Sequence, residues 1–371
     1  MKRFLITLII ILLIPFTAFA QDSEYEGYLE SFDLSAFESL DDETREFLDD
    51  LGITDFNYEK ISQISVSDIF KYIFEVLTNK TQGPIKAGLT VICFVIVSAF
   101  FRSFGNEITK SDMSSFFSTV TALVISVFLA VKLADCVNLC CCTVRLCSNF
   151  AFAFFPAFCL IVATSGGSVT SFSVNTMLLA LAQGLNLISE TVFVPLTNCF
   201  LALGICSGLR QELNIGGFIQ FFKKLITMSI STLSAVFVSI LSVKTAVASK
   251  TDALGLRSIR FAINSVVPVI GSSISEGLLS IQSYSGLIKT SVGIVGIIAV
   301  VCIFLPSIIE IALWRGMLFV AKMCASVFDD TALSKTVESF GDALLIINVI
   351  LILCMVTTVI SIGILIAAKT G

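Results

Sequence analysis

The apolar run from Leu287 to Ile309 constrains this chain most. About 20 helical residues, at about 1.5 Å each, cover the roughly 30 Å hydrocarbon layer of a bilayer, so the run is long enough to cross one. It belongs to a longer stretch, Arg257 to Arg315, that opens on two basic residues, Arg257 and Arg260. Pro268 and Gly271 then interrupt the chain, and a Ser- and Gly-rich segment carrying Glu276 leads directly into the apolar run. Membranes tolerate interrupted backbone where protein or a watery cavity shelters it. This region is therefore the first place to look for function.

The rest of the chain is of the same kind. It is 56% hydrophobic and 14% charged, with a mean hydropathy of +0.96, whereas soluble domains carry about 25% charge. The expected fold is all-α: a polytopic helical membrane protein of about seven or eight spans, some interrupted or re-entrant. Apolar spans are expected at approximately 85–101, 116–134, 149–164, 176–207, 218–243, 287–309, 311–328 and 343–368. The 176–207 run is too long for one straight span and carries Gln183, Asn186, Glu190 and Pro195 near its middle, which fits a hairpin or re-entrant pair of shorter helices better than a tilted span. Trp314 and Arg315 interrupt the run after Glu310, so 311–328 reads either as a span or as an interfacial segment.

Three regions are expected. Residues 1–20 read as a signal peptide, with Lys2 and Arg3, an apolar core over Phe4–Ile14, and Ala18-Phe19-Ala20 as a small-x-small cleavage site; an uncleaved anchor is the rival reading. Residues 21–83 form a short acidic head on the extracytoplasmic side, ended by Gly83-Pro84, and 84–371 form the membrane domain. Residues 21–60 hold 14 of the 28 acids and two bases, Arg45 and Lys60. Phe37, Leu40, Leu48 and their apolar neighbours at three- and four-residue spacing predict short acidic amphipathic helices, and Ile69, Phe70, Ile73, Phe74 and Leu77 a clearer stripe just before the membrane. The head reads as a solvated spacer or as a docking segment. An external head puts the Arg102–Lys110 loop in the cytoplasm, in keeping with the excess of Lys and Arg on that side. The basic stretch Lys244–Arg260 then falls outside, against that rule, unless 176–207 crosses once or the stretch lies at an interface.

Composition removes several functions. The chain has no histidine, so histidine metal sites, general bases and proton relays are absent. No basic cluster stands outside the membrane body, which argues against nucleic-acid binding. There is no phosphate loop and no G-x-S-x-G elbow, so no enzyme is expected and no catalytic, cofactor or metal site is assigned. Cys136, Cys140, Cys141, Cys142 and Cys147 cluster without the paired C-x2-C spacing of metal sites. Cys136, Cys140 and Cys147 share a helix face and suit helix packing; a lipidated thiol or a metal are the lesser readings. Gly204-x-x-x-Gly208 and Gly293-x-x-Gly296 are small-residue faces, for packing within the chain or for assembly with another subunit. Charges beside apolar spans are informative because they are costly in lipid. Lys132 and Asp135, three apart, suit a pair, and Lys289, Glu310 and Arg315 sit near span ends where they can snorkel. Glu190 and Glu276 stand beside breaks and small polar residues. Together with Pro268 and Gly271 they are the candidates for a polar cavity or a subunit contact, with a loop position at the membrane surface as the plainer reading.

The order of these features, and above all Arg260–Asp330 with Val267-Pro268-Val269-Ile270-Gly271, Ser275-Glu276, Gly293-Ile294-Val295-Gly296 and Leu305-Pro306-Ser307-Ile308, resembles the stage III sporulation protein AE family of endospore-forming bacteria. The resemblance covers nearly the whole chain in architecture, and the head and first spans in character alone. It implies a subunit of a multi-protein complex in the mother-cell (outer forespore) membrane that meets a forespore partner across the intermembrane space, and that sustains late forespore gene expression. Its implied partners are a secretion-type ATPase, ring-forming intermembrane-space proteins and the lipid bilayer. The family carries no catalytic residues over to this chain. A rival class is a self-sufficient secondary transporter of a small solute, since interruptions near 190 and 268 resemble broken transporter helices. A structural assembly factor without a pore is a third.

Overall fold

The computed structural model describes Phe37 and residues 40–50, 66–108, 112–164, 181–209, 217–218, 220–237, 239–240, 271–328 and 331–367. Among these the regular structure is helical throughout. Helix α1 is Asp42–Asp50, α2 Val66–Ile108 and α3 Asp112–Thr164. Helix α4 covers 181–188 and passes through a π turn, Ser189–Phe193, into α5, Val194–Leu209. Helix α6 covers 220–237, α7 is Gly271–Val327 and α8 Thr331–Ala367. Four segments are long and apolar enough to cross a membrane: Lys71–Phe100 in α2, Leu123–Val162 in α3, Gly286–Val327 in α7 and Leu333–Ile366 in α8.

These helices are longer than the sequence predicts. The runs 116–134 and 149–164, expected as separate spans, lie on one helix of 53 residues. The runs 287–309 and 311–328 lie on one of 57 residues, with Trp314 and Arg315 in its path. At about 1.5 Å per residue these helices are about 80 and 85 Å long, well over twice a hydrocarbon layer. Helix α2 passes unbroken through Gly83-Pro84, and Pro84 is buried. The physical reason is the same in each case. A charge or a polar turn lowers local hydropathy without touching the backbone ladder. A single proline removes one ladder bond, which neighbouring helices offset by packing around the site.

Helix α7 is the axis of the bundle. Its Gly293 backs onto Ile366 and Phe158, its Gly296 onto Phe154, and its Lys322 pairs with Glu338 at 2.9 Å, so α3 and α8 both run antiparallel to it. Cys302 packs with Tyr72 and Val76, and Met317 covers Gly88, so α2 runs parallel to α7. A side chain at Gly293 or Gly296 would meet its neighbours well inside 3.0 Å, so these two glycines set how closely α7 approaches α3 and α8. The core opposite them is a ladder of Phe150, Phe154 and Phe158, stacked with centroids 5.2 and 5.1 Å apart.

Phe37, Leu40 and α1 contribute to this core. Thr44 and Leu48, one turn apart on α1, are buried with Leu40, while Asp42, Glu46 and Asp49 face outward. This is the amphipathic acidic helix that the spacing predicts. Phe37 closes edge-on against Phe150 at 5.4 Å and Phe154 at 5.6 Å. At the start of α2 the expected stripe is displaced: Tyr72 and Val76 are buried, and Phe74 and Leu77 are exposed. Aromatic and aliphatic side chains at neighbouring positions make the two faces of this segment similar in hydropathy, and contact with Cys302 selects between them.

Candidate functional site

The π turn at Ser189–Phe193 is the place where a helix, rather than ending, widens. The amide of Val194 donates to the carbonyl of Ser189, five residues back instead of four. Pro195 follows, and it has no amide to continue an α ladder. The polar, Pro-containing centre of 176–207 thus yields one wide turn. The described part, 181–209, stays a continuous helical rod, and the expected division into two shorter helices is corrected to that extent.

Glu190 lies in this turn and forms an ion pair with Arg145 of α3. The Glu190 side chain is 24% exposed and the Arg145 side chain 66%. One turn earlier Asn186 donates to the Ser148 hydroxyl at 3.2 Å, and two turns earlier Gln183 donates to the Ser148 carbonyl at 3.1 Å. The side-chain oxygen of Asn186 is buried with no hydrogen-bond partner among the described residues. On the inner side, Ser189 donates to the Leu185 carbonyl at 2.8 Å and receives the Cys354 thiol at 3.4 Å. Cys147 reaches Thr358 at 3.8 Å, and Thr143 meets Ser307 at 2.7 Å. A polar seam therefore runs from α4 through α3 to α7 and α8, inside an otherwise apolar bundle. Most of its hydroxyls donate to carbonyls of their own helices, which satisfies them without ending the helix.

The other predicted residues are dispersed. Gly271 is the first residue of α7 and Glu276 follows in its second turn, continuous with the apolar run. Pro268 lies outside the described residues. Gly204 and Gly208 fall in the second half of α5. Gly293 and Gly296 face α3 and α8 of the same chain, so the contacts they make are internal. Cys136, Cys140 and Cys147 are buried on the shared face, Cys141 is half-buried and Cys142 exposed. Among the described residues no group of three metal-ligating side chains is placed to hold an ion. Lys132 and Asp135 pair at 3.2 Å. Lys289 is buried at 4% exposure, so its expected snorkelling position is corrected: the surrounding helices enclose it. The partner of Glu190 was missed by sequence reasoning. Arg145 is a lone base in an apolar run, and that was the available signal.

Long apolar helices, packed as a bundle with a polar seam, define a polytopic helical membrane protein. The family model described as Stage III sporulation protein AE (spore_III_AE) matches residues 53–369. The chain belongs to the stage III sporulation protein AE family. A relative of that name from Bacillus subtilis (strain 168) is 23% identical over 261 residues, covering 70% of this chain and 63% of the relative. The aligned region thus spans less than two thirds of that relative's length. No solved structure matches.

Proposed function

We propose that this chain is a membrane subunit, scaffold or conduit, of a mother-cell-to-forespore channel complex with secretion-like organisation, needed for late forespore gene expression during sporulation. The family match over 53–369 carries the reading. In this reading the protein sits as a multi-pass protein in the outer forespore membrane with its acidic head extracytoplasmic. A secretion-type ATPase and ring proteins of the intermembrane space complete the machine. The chain supplies no chemistry of its own. Its Glu190 and Glu276, with Pro268 and Gly271, mark a polar passage or a subunit contact. Gly204 and Gly208 mark a helix contact. The solute-transporter reading loses part of its footing, because the interruption near 190 is one π turn in a continuous rod.

The test is deletion of the gene in sporulating cells, with a complemented strain as control. Late gene expression in the fully engulfed forespore is expected to fail after normal engulfment; normal expression and spore yield would sink the proposal. Combining Glu190→Gln with Glu276→Gln then separates passage from scaffold. Loss of late expression with the other subunits still assembled supports the passage, and intact expression removes these two residues from it.

A further inference from the structure

The outer faces of α2 and α3 change character at one height. On α2 the exposed positions up to Gln82 are mainly polar, with Lys71, Glu75, Thr78 and Asn79 beside Phe74 and Leu77. From Ile85 onward they are mainly apolar, through Leu89, Phe94, Ile96, Val97 and Phe100. On α3, which runs the other way, the exposed positions Val120, Leu123, Val124, Val127 and Val131 are apolar. The next five along the same face, at three- and four-residue steps, are Asp135, Asn138, Cys142, Arg145 and Asn149, and beyond this polar belt Phe152, Pro156 and Leu160 are apolar.

The two changes are level with each other. Gly88 of α2 rests on Met317 of α7, and Leu129, Lys132 and Cys136 of α3 line a small cavity with Trp314 and Leu318 of α7. At this height α7 presents Arg315, and beyond it Phe319, Val320, Met323 and Val327 are exposed. Three helices thus share one boundary. Below it, the apolar surface from Ile85 to Phe100 rises about 23 Å, most of a hydrocarbon layer. Above it, about 23 Å beyond Asp135, Phe37 of the acidic head packs on Phe150.

We propose that the bilayer surrounds the lower, apolar half alone. The upper half, with Arg145, Glu190 and α1, stands in water on the head's side of the membrane. Around the level of Arg145 charged and amide side chains face outward because water receives them, with Lys132 paired to Asp135 and Glu190 to Arg145; Phe152, Leu160, Leu187 and Val192 are the exposed apolar side chains scattered over this half. Upper α7 and α8 are apolar because they are the protein's own core: among the described residues none is exposed over 286–311 of α7, and Ile352 alone is exposed over 351–366 of α8. The inference deepens the membrane-subunit reading and rests on it.

Two native cysteines test it. Cys142 lies in the polar stretch and Cys93 in the apolar one, and both are exposed. The unaltered full-length chain, purified into lipid nanodiscs, is treated with a charged maleimide and then with an apolar one, and the modified sites are mapped by mass spectrometry. The charged reagent stays in water and a thiol in hydrocarbon is poorly ionised, so this reagent is expected to modify Cys142 at least about 10-fold faster than Cys93, while the apolar reagent, which enters the lipid, narrows that difference. Equal silence of the two toward the charged reagent, or equal reactivity, overturns the proposal. The pair Asn138→Cys and Val127→Cys, one on each side of the boundary, is expected to repeat the contrast. Labelling is read without sporulation, so this proposal can fail while the sporulation phenotype stands, and the reverse.

Discussion

Of the four candidate spans, those of α7 and α8 are the most apolar, with a mean hydropathy of 2.9 against 1.9 and 2.0 for α2 and α3, yet they are the better buried pair. Helices inside a bundle meet other side chains on most sides, so polar positions there need internal partners. Helices at the rim meet the outside along one face and retain polar positions on it. Hydropathy in this protein therefore records enclosure by protein as well as contact with lipid, and the two are told apart by what each helix leaves exposed.

Substitutions along the α7 axis break that comparison most strongly. Phe154 touches Phe150, Phe155, Phe158 and Phe37, so Phe154→Ala is expected to destabilise the chain by about 3–5 kcal/mol. Thermal unfolding in detergent measures it, and a loss below that of an exposed Phe152→Ala control would contradict the core assignment. Next in size, Gly296→Leu forces a side chain into Phe154 and is expected to lose about 1–3 kcal/mol. Gly316→Leu, where nothing lies within 4 Å, is expected to stay within about 0.5 kcal/mol in the same assay. Removing the Thr143–Ser307 contact by Thr143→Val should lose about 1 kcal/mol, since it leaves the Ser307 hydroxyl buried against an apolar group. The smallest effect is expected at the rim. Arg145→Ala breaks an ion pair whose base is largely exposed, and is expected to shift thermal unfolding less than any of the core changes. A loss as large as that at Phe154 would place Arg145 in the core rather than at the edge.

The helical class, the amphipathic acidic helix Asp42–Asp50 and the buried face of Cys136, Cys140 and Cys147 are legible in the sequence because each is a local periodicity. Helix ends are not. Gly83-Pro84, Trp314-Arg315 and the centre of 176–207 all lower hydropathy, and the backbone continues through each, held by helices distant in sequence. The polarity of Glu190 and the proline after it point to a special turn. Its pairing with Arg145, 45 residues away, follows from how α3 and α4 pack, and no spacing encodes it. The same holds for Thr143 and Ser307, 164 residues apart.

The wide turn at Ser189–Phe193 also sets a phase. One residue more than an α turn requires is accommodated there, and each residue of an α-helix advances its direction by about 100°. Deleting one residue within the turn would tighten it to an α turn and keep α5 in phase, whereas deleting one residue from the regular helix between the turn and Gly204 would leave α4 on Ser148 and swing the rest of α5 by that angle about its own axis. Gly204 and Gly208 would then point elsewhere, although neither had been touched. In this sense a five-residue segment acts as the key that times one end of the rod against the other.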